Sequence, residues 1–354
     1  MSQGAVPHGA RHPGWARMLP RFAISAGLLG GLAWLLDADA LVRRLIDLDP
    51  FWVVVGLAIS LPQMALLALR WRLTAGRLGL DLPFGTALRE YYLATFLNQL
   101  LPGGVMGDVS RAWRHGRAGP GAPPHGSAIA SPVPASGLGL GPAARAVVLE
   151  RASGQLVMAA AAVVALGSLP VAGAVRARVL VIVLGAAAAV VVVAFTLERA
   201  RVASRLASAV WRDVHAALLA RDVVGAQLAT SVLVLGTYVA TYLAAARAVG
   251  LTTPFAVLLP LVPPVLLSML IPVTVAGWGI REAAAAGLWS LVGLTAEDGV
   301  AASAAYGLLV LATTLPGAAV LVSAARGRRA DPRPDGSAGS AGGAPGPGSP
   351  PAEG

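Results

Sequence analysis

The feature that most constrains this chain is a set of long runs with no charge in them. Phe51 to Leu69, Val179 to Thr196, Val223 to Ala246 and Val300 to Ala324 contain no Asp, Glu, Lys or Arg. About 20 such residues span the hydrocarbon of a bilayer as a helix. Water is absent there, so every backbone N–H and C=O must be satisfied within the segment, and an apolar run has to be helical. Hydrophobic residues make up 56% of the chain and charged residues only 12%, against about 25% charged in soluble domains. No stretch between the runs is long enough to bury a core of its own. The fold expected is all-α: one polytopic helical bundle integral to a membrane.

Two further runs complete the expected spans. Phe22 to Leu36 is short for a crossing, and Asp37 and Asp39 follow it where a cleavage site would need small residues, so it is taken as a retained helix. Val147 to Leu169 carries Glu150 and Arg151 in its first turns. This makes six full spans. Residues 1–21 form a lead with Arg11, Arg17 and Arg21, 22–325 the transmembrane domain, and 326–354 a Gly/Pro/Ser/Ala tail expected to be disordered. Within the domain, 116–143 is Gly/Pro/Ala/Ser-rich and reads as a flexible loop. The polar segment 198–222 reads as a surface amphipathic helix.

All 27 basic residues are arginine and the net charge is +10. The arginines flank the runs, where positive charge sets orientation and meets anionic headgroups, so the balance does not indicate nucleic acid. Arginine counts put the N-terminus, the loops at 70–77, 111–145 and 199–221, and the C-terminal tail in the cytoplasm, and leave Arg43, Arg44, Arg176 and Arg178 outside.

One spacing occurs twice. Pro102-Gly103-Gly104-Val105-Met106-Gly107-Asp108-Val109-Ser110-Arg111 and Pro272-Val273-Thr274-Val275-Ala276-Gly277-Trp278-Gly279-Ile280-Arg281 both read Pro, four residues, Gly, three residues, Arg. Each follows an apolar run. Pro102, Gly103, Gly107, Pro272, Gly277 and Gly279 are the expected backbone breaks. The sidedness makes 84–101 begin and end inside, while 255–271 and 280–294 together begin and end outside. The two motifs therefore fall on two re-entrant, broken-helix elements of opposite orientation, an inverted repeat. Irregular backbone at membrane depth needs cover from protein or a wet cavity. Helix amides beginning at such breaks point toward an anionic group, and a guanidinium one turn on can hold a phosphate at two points.

The candidate substrate-binding residues are Arg111, Arg281, Glu282, Glu150, Arg151, Asn98 and Asp108. Each has a plainer alternative. Arg111 is a helix-ending charge or a ligand, and Arg281-Glu282 a local staple or a site. Glu150-Arg151 is an interfacial anchor or part of a cavity. Asp108 either caps its helix through Arg111 or meets a cationic headgroup. Asn98 and Gln99 bridge helices or line the break, Arg89-Glu90 is interfacial, and Trp113 and Trp278 are belt aromatics. No catalytic constellation stands out. The histidines lie at 8, 12, 115, 125 and 215, outside the apolar runs, and there is no cysteine and no lysine. Nucleophilic catalysis, a metal site, a cofactor and a phosphate loop of the ATPase kind are not expected.

Asn98-Gln99-Leu100-Leu101-Pro102 with Gly107-Asp108 and Arg111, then Val148-Leu149-Glu150-Arg151, then Leu270-Ile271-Pro272 with Gly277-Trp278-Gly279-Ile280-Arg281-Glu282 resemble the transmembrane domain of the lysylphosphatidylglycerol synthase/flippase family over roughly residues 20–325. The resemblance implies a multi-pass protein of the bacterial inner membrane that translocates or handles lipids, with membrane lipids as its partners. Family members that transfer an aminoacyl group carry a large soluble domain after the membrane part. Only about 30 residues follow here, so lysyl transfer by this chain is not expected. The reading is a non-enzymatic lipid flippase or lipid-transport protein for an anionic or polyprenyl-type lipid. The alternatives are a non-catalytic membrane partner of a separate transferase, with or without homo-oligomerisation, and a secondary transporter of a small anion.

Overall fold

The computed structural model describes residues 19–101, 104–117, 141–169, 173, 211–271 and 273–330. The expected span 179–196 lies outside them, as do most of the lead, the 116–143 loop, most of 198–222 and most of the tail, together with Pro102, Gly103 and Pro272.

All the regular elements among the described residues are helical. In chain order they are α1 (Leu19–Leu35), α2 (Ala38–Ile46), α3 (Pro50–Arg77), α4 (Phe84–Leu100), α5 (Met106–Arg117), α6 (Pro142–Ser168), α7 (Val224–Ala248), α8 (Phe255–Ser268), α9 (Ile280–Leu291) and α10 (Ala296–Ala330). The helix ends therefore cut into both the expected loop and the expected tail. A π-helical turn, His215–Leu219, precedes α7. Helices α3, α6, α7 and α10 are long and apolar enough to cross a membrane. The pair α1 and α2, bent by 107°, makes a fifth span if counted as one.

Local chemistry sets the element ends. Asp37 caps α2 by accepting from the Ala40 N–H at 2.9 Å, and Asp49 caps α3 by accepting from Phe51 N–H at 2.9 Å, with Pro50 at the first helical position. The sequence places the end of the second span at Leu69. The helix instead runs unbroken to Arg77, because Met64, Leu67, Trp71 and Thr74 continue one buried stripe past Arg70. Arg70 is thus inside the helix and buried, while Arg72 and Arg77 reach the surface.

Two apolar cores stack along the bundle. One gathers Met64, Leu67, Trp71, Ala87, Tyr91, Ala146 and Val147 from α3, α4 and α6. The other gathers Leu261, Val265, Trp289, Ala301, Ala305 and Tyr306 from α8, α9 and α10. Helix α7 runs past both, and its Tyr238 packs against each. Ion pairs tie the periphery: Arg114 to Glu90 at 2.5 Å joins α5 to α4, Arg145 pairs with Asp213, and Arg77 with Asp222 at 2.6 Å. Arg44 pairs with Asp298 at 2.6 Å, fixing α2 to the start of α10.

Candidate functional site

The first repeat builds its site where α4 ends and α5 begins. Gly107 exists there for space: a Cβ would fall on the Ala94 carbonyl, so glycine alone lets α5 lie directly on the α4 backbone. Asn98, in the last turns of α4, accepts from the Gly107 N–H at 2.7 Å and donates to Asp108 Oδ2 at 3.2 Å. Asp108 stands in the first turn of α5, where the helix dipole favours a carboxylate. Its Oδ1 accepts from Arg111 at 3.1 Å and from Arg151 at 3.0 Å.

Glu150 is the hub. It is fully buried, and its Oε1 accepts from Arg70 Nη2 at 2.5 Å, Arg70 Nε at 3.1 Å and the Tyr91 hydroxyl at 3.0 Å. Its Oε2 accepts from Arg111 Nη2 at 3.0 Å. Helices α3, α4, α5 and α6 converge on one carboxylate. Arg111, also fully buried, has Trp71 and Tyr91 ring centroids each 4.3 Å from its Cζ, which gives a desolvated guanidinium cation–π contacts on top of its ion pairs. Its Nε and Nη1 find no hydrogen-bond acceptor among the described residues. Gly154 provides the room for Arg70, since a Cβ there would meet the guanidinium at 2.6 Å. Among the described residues three arginines thus face two carboxylates, an excess of one positive charge. Each such side chain at membrane depth costs roughly 2.5–3.5 kcal/mol on insertion scales unless it is compensated. Arg151 alone of the three reaches the bundle surface appreciably, with 31% of its side chain exposed, and Asp108 is next at 12%.

The second repeat is built differently from the same spacing. Helix α5 starts one residue before Gly107, so Arg111 is in its second turn; α9 starts after Gly279, so Arg281 is in its first. The connection carries Ala276, Gly277 and Gly279 at φ +50°, +80° and +92°. Ala276 is strained there, and the two glycines relieve what would otherwise be further strain. Glu282 folds back to accept from Gly279 N–H at 2.7 Å. Its other oxygen accepts from Arg281 at 2.6 Å and from the Ser303 hydroxyl at 3.1 Å. Arg281 also donates to Ser303 at 3.0 Å and lies 5.0 Å from the Trp278 ring and 5.3 Å from that of Tyr306. Gly307 on α10 leaves space for Arg281 and Trp278. This pair is neutral and buried. Helix α1 crosses the break, Ser25 accepting from Val275 N–H at 2.9 Å.

The structure brings Arg111, Glu150, Arg151, Asn98 and Asp108 into one network and leaves Arg281 and Glu282 in another. Among the described residues the two networks share no hydrogen bond. Ser231 touches the first, through Arg70 at 3.4 Å, and Tyr242 stacks on Tyr306 of the second at 5.2 Å. Those two α7 residues are eleven positions apart, about 16 Å of helix rise. Tyr238 lies between them, within electrostatic reach of Arg70, Arg151 and Tyr306. Trp278 serves Arg281 as a ring partner, a closer duty than the belt position expected of it. The sequence reading missed Arg70, Tyr91, Trp71, Ser303 and Tyr306. The signal for Arg70 was present: it continues the buried stripe through Gln63 and Thr74.

The family described as Lysylphosphatidylglycerol synthase TM region matches residues 18–317. The chain belongs to this family. No curated protein and no solved structure matches it. The matched stretch contains both breaks and every residue of both networks. Family membership ties the chain to membrane lipids, and its apolar spans make it an integral membrane protein.

Proposed function

We propose that the chain is a lipid flippase that carries a lipid with an anionic headgroup past the hydrocarbon, in the cytoplasmic membrane of a bacterium and with both termini in the cytoplasm. The observation that carries this reading is the surplus positive charge of the Arg70–Arg111–Arg151 network, together with the two Arg111 N–H groups without acceptors, among the described residues. A buried cationic surplus is stable only with an anion at hand. Arg151 is the residue through which a headgroup phosphate enters, exchanging Asp108 for the phosphate. Helices α4–α5 and α8–α9 are the two re-entrant arms of an inverted repeat, and rocking of one against the other alternates access. Because the α7 residues that touch the two networks, Ser231 and Tyr242, stand about 16 Å apart in helix rise, a single phosphate meets the networks in turn. Arg281 and Glu282 form the second station, and Tyr238 the polar step between. The lipid is the partner, and the chain carries out no covalent chemistry on it.

The test uses Arg151→Gln, because its partly exposed side chain can be replaced without stranding a buried carboxylate. In vesicles holding the reconstituted protein and a fluorescent phospholipid, the variant is expected to translocate at least tenfold more slowly, with an unfolding temperature close to that of the parent. Equal rates in the two proteins would reject the reading.

A further inference from the structure

At the end of the bundle where α3 starts and α7 stops, and sharing no lining residue with either network, there is an open cavity of about 490 Å3 lined by Arg43, Arg44, Asp47, Asp49 and Arg247 together with the turn 248–250. Its size falls in the range of about 300–1,000 Å3 found for small-ligand sites. Helix α2 forms one wall of it. This helix turns 107° from α1 and carries Arg43 and Arg44 in its last turn. Val42 and Ile46 are exposed on it, as are Trp34 and Leu35 at the bend. An amphipathic helix with such a face lies in the plane of the membrane interface, apolar residues toward the tails and arginines among the headgroups. Phe51 and Trp52, in edge contact at the first turn of α3, mark the same level.

The lining residues differ in what they have left to offer. Arg44 is committed to Asp298 at 2.6 Å. Asp49 caps α3 through Phe51 N–H, and its own N–H donates to the Ala248 carbonyl at 2.9 Å, which fastens the floor of the cavity to α7. Arg247 is held by the Leu251 carbonyl and by the Phe255 ring, 4.3 Å from its Cζ, so its position is fixed while its charge has no ion-pair partner among the described residues. Arg43 and Asp47 have no ion-pair partner among the described residues. The charges without an ion-pair partner among the described residues of the lining are two guanidiniums, Arg43 and Arg247, and two carboxylates, Asp47 and Asp49, of which Asp49 already serves its helix cap.

We propose that this cavity is a headgroup site for a zwitterionic phospholipid with a primary amine, its phosphate between Arg43 and Arg247 and its ammonium on Asp47. Two planar cations suit a phosphate. The two carboxylates beside them, Asp47 and Asp49, repel a purely anionic headgroup, and hydrogen bonds of the kind an –NH3+ group gives a carboxylate are beyond a quaternary ammonium. The site stands apart from the translocation reading, because it needs only equilibrium binding from one leaflet.

The full-length protein in nanodiscs of equal phosphatidylethanolamine, phosphatidylglycerol and phosphatidylcholine is released for native mass spectrometry, and its retained lipids are counted. The parent is expected to keep the ethanolamine lipid preferentially. Arg43→Gln, an exposed change, is expected to lower that retention about fivefold. Asp47→Asn is expected to abolish the preference over phosphatidylglycerol. Inorganic phosphate at millimolar concentration is expected to displace none of it. Unchanged retention in both variants would overturn the site, and displacement by inorganic phosphate would overturn its assignment to a lipid.

Discussion

Glu150 is the residue on which the first network depends. Its carboxylate accepts from Arg70 and Arg111, both buried, and from the Tyr91 hydroxyl. Glu150→Gln leaves the buried Arg70 without a counter-charge and Arg111 with Asp108 alone, and removing one partner of a buried pair costs about 3–5 kcal/mol. The expected outcome is a large drop in thermal unfolding temperature in detergent, measured by fluorescence or calorimetry, together with poor yield. Arg151→Gln is expected to have little effect on the same measurement, since its side chain is partly exposed and surface pairs contribute about 1 kcal/mol or less. Much of this chemistry was legible in the sequence. Arg111, Asp108, Glu150 and Arg151 stood out because charge is costly in apolar runs. Arg70 did not, because Arg72 and Arg77 follow so closely that the three read as one flanking cluster. The aromatic partners Trp71 and Tyr91 were hidden too: an aromatic in an apolar helix looks the same whether it faces lipid or a guanidinium.

At the scale of elements, two backbone approaches hold the helices at their working distance. Gly107 lets α5 meet α4, and Gly317 does the same for α10, where a Cβ would strike the Tyr92 carbonyl of α4. Gly107→Ala and Gly317→Ala are each expected to destabilise by about 1–3 kcal/mol, the usual cost of overpacking, read from unfolding in detergent. Gly30→Ala on α1, where a Cβ meets nothing, is the control expected to stay near the parent. The breaks in α4–α5 and α8–α9 could be read directly, because proline and glycine punctuate an apolar run in a way few other residues do. Helix α2 was not read from the sequence. Its composition is mixed and it is only 9 residues long, so neither hydropathy nor length separates it from a loop. The shared spacing of the two motifs also concealed a difference, since where a helix starts depends on which glycine takes the positive φ. That choice puts Arg281 in a first turn and Arg111 in a second.

For the whole molecule, α3 sets the scale. Its 28 residues rise about 42 Å, enough to cross the hydrocarbon of about 30 Å and emerge on both sides. Asp47 lies just before one end and Arg77 at the other, where it pairs with Asp222. The chain has no cysteine, so single cysteines report without a background. Asp222→Cys is expected to react with a membrane-impermeant maleimide only in inverted vesicles, and Gly250→Cys only in intact cells. The opposite pattern would reverse the orientation proposed for both repeats. The proposed translocation requires an anion to join the arginine network from the bundle surface. An experimental structure of the protein in lipid nanodiscs tests that most directly. The result expected is a headgroup phosphate within hydrogen-bonding distance, about 2.7–2.9 Å, of Arg151 or Arg111, with Asp108 turned away from Arg151. A map at resolution sufficient to place headgroups, with lipid only around the outside of the bundle and Arg151 still closed on Asp108, would contradict it.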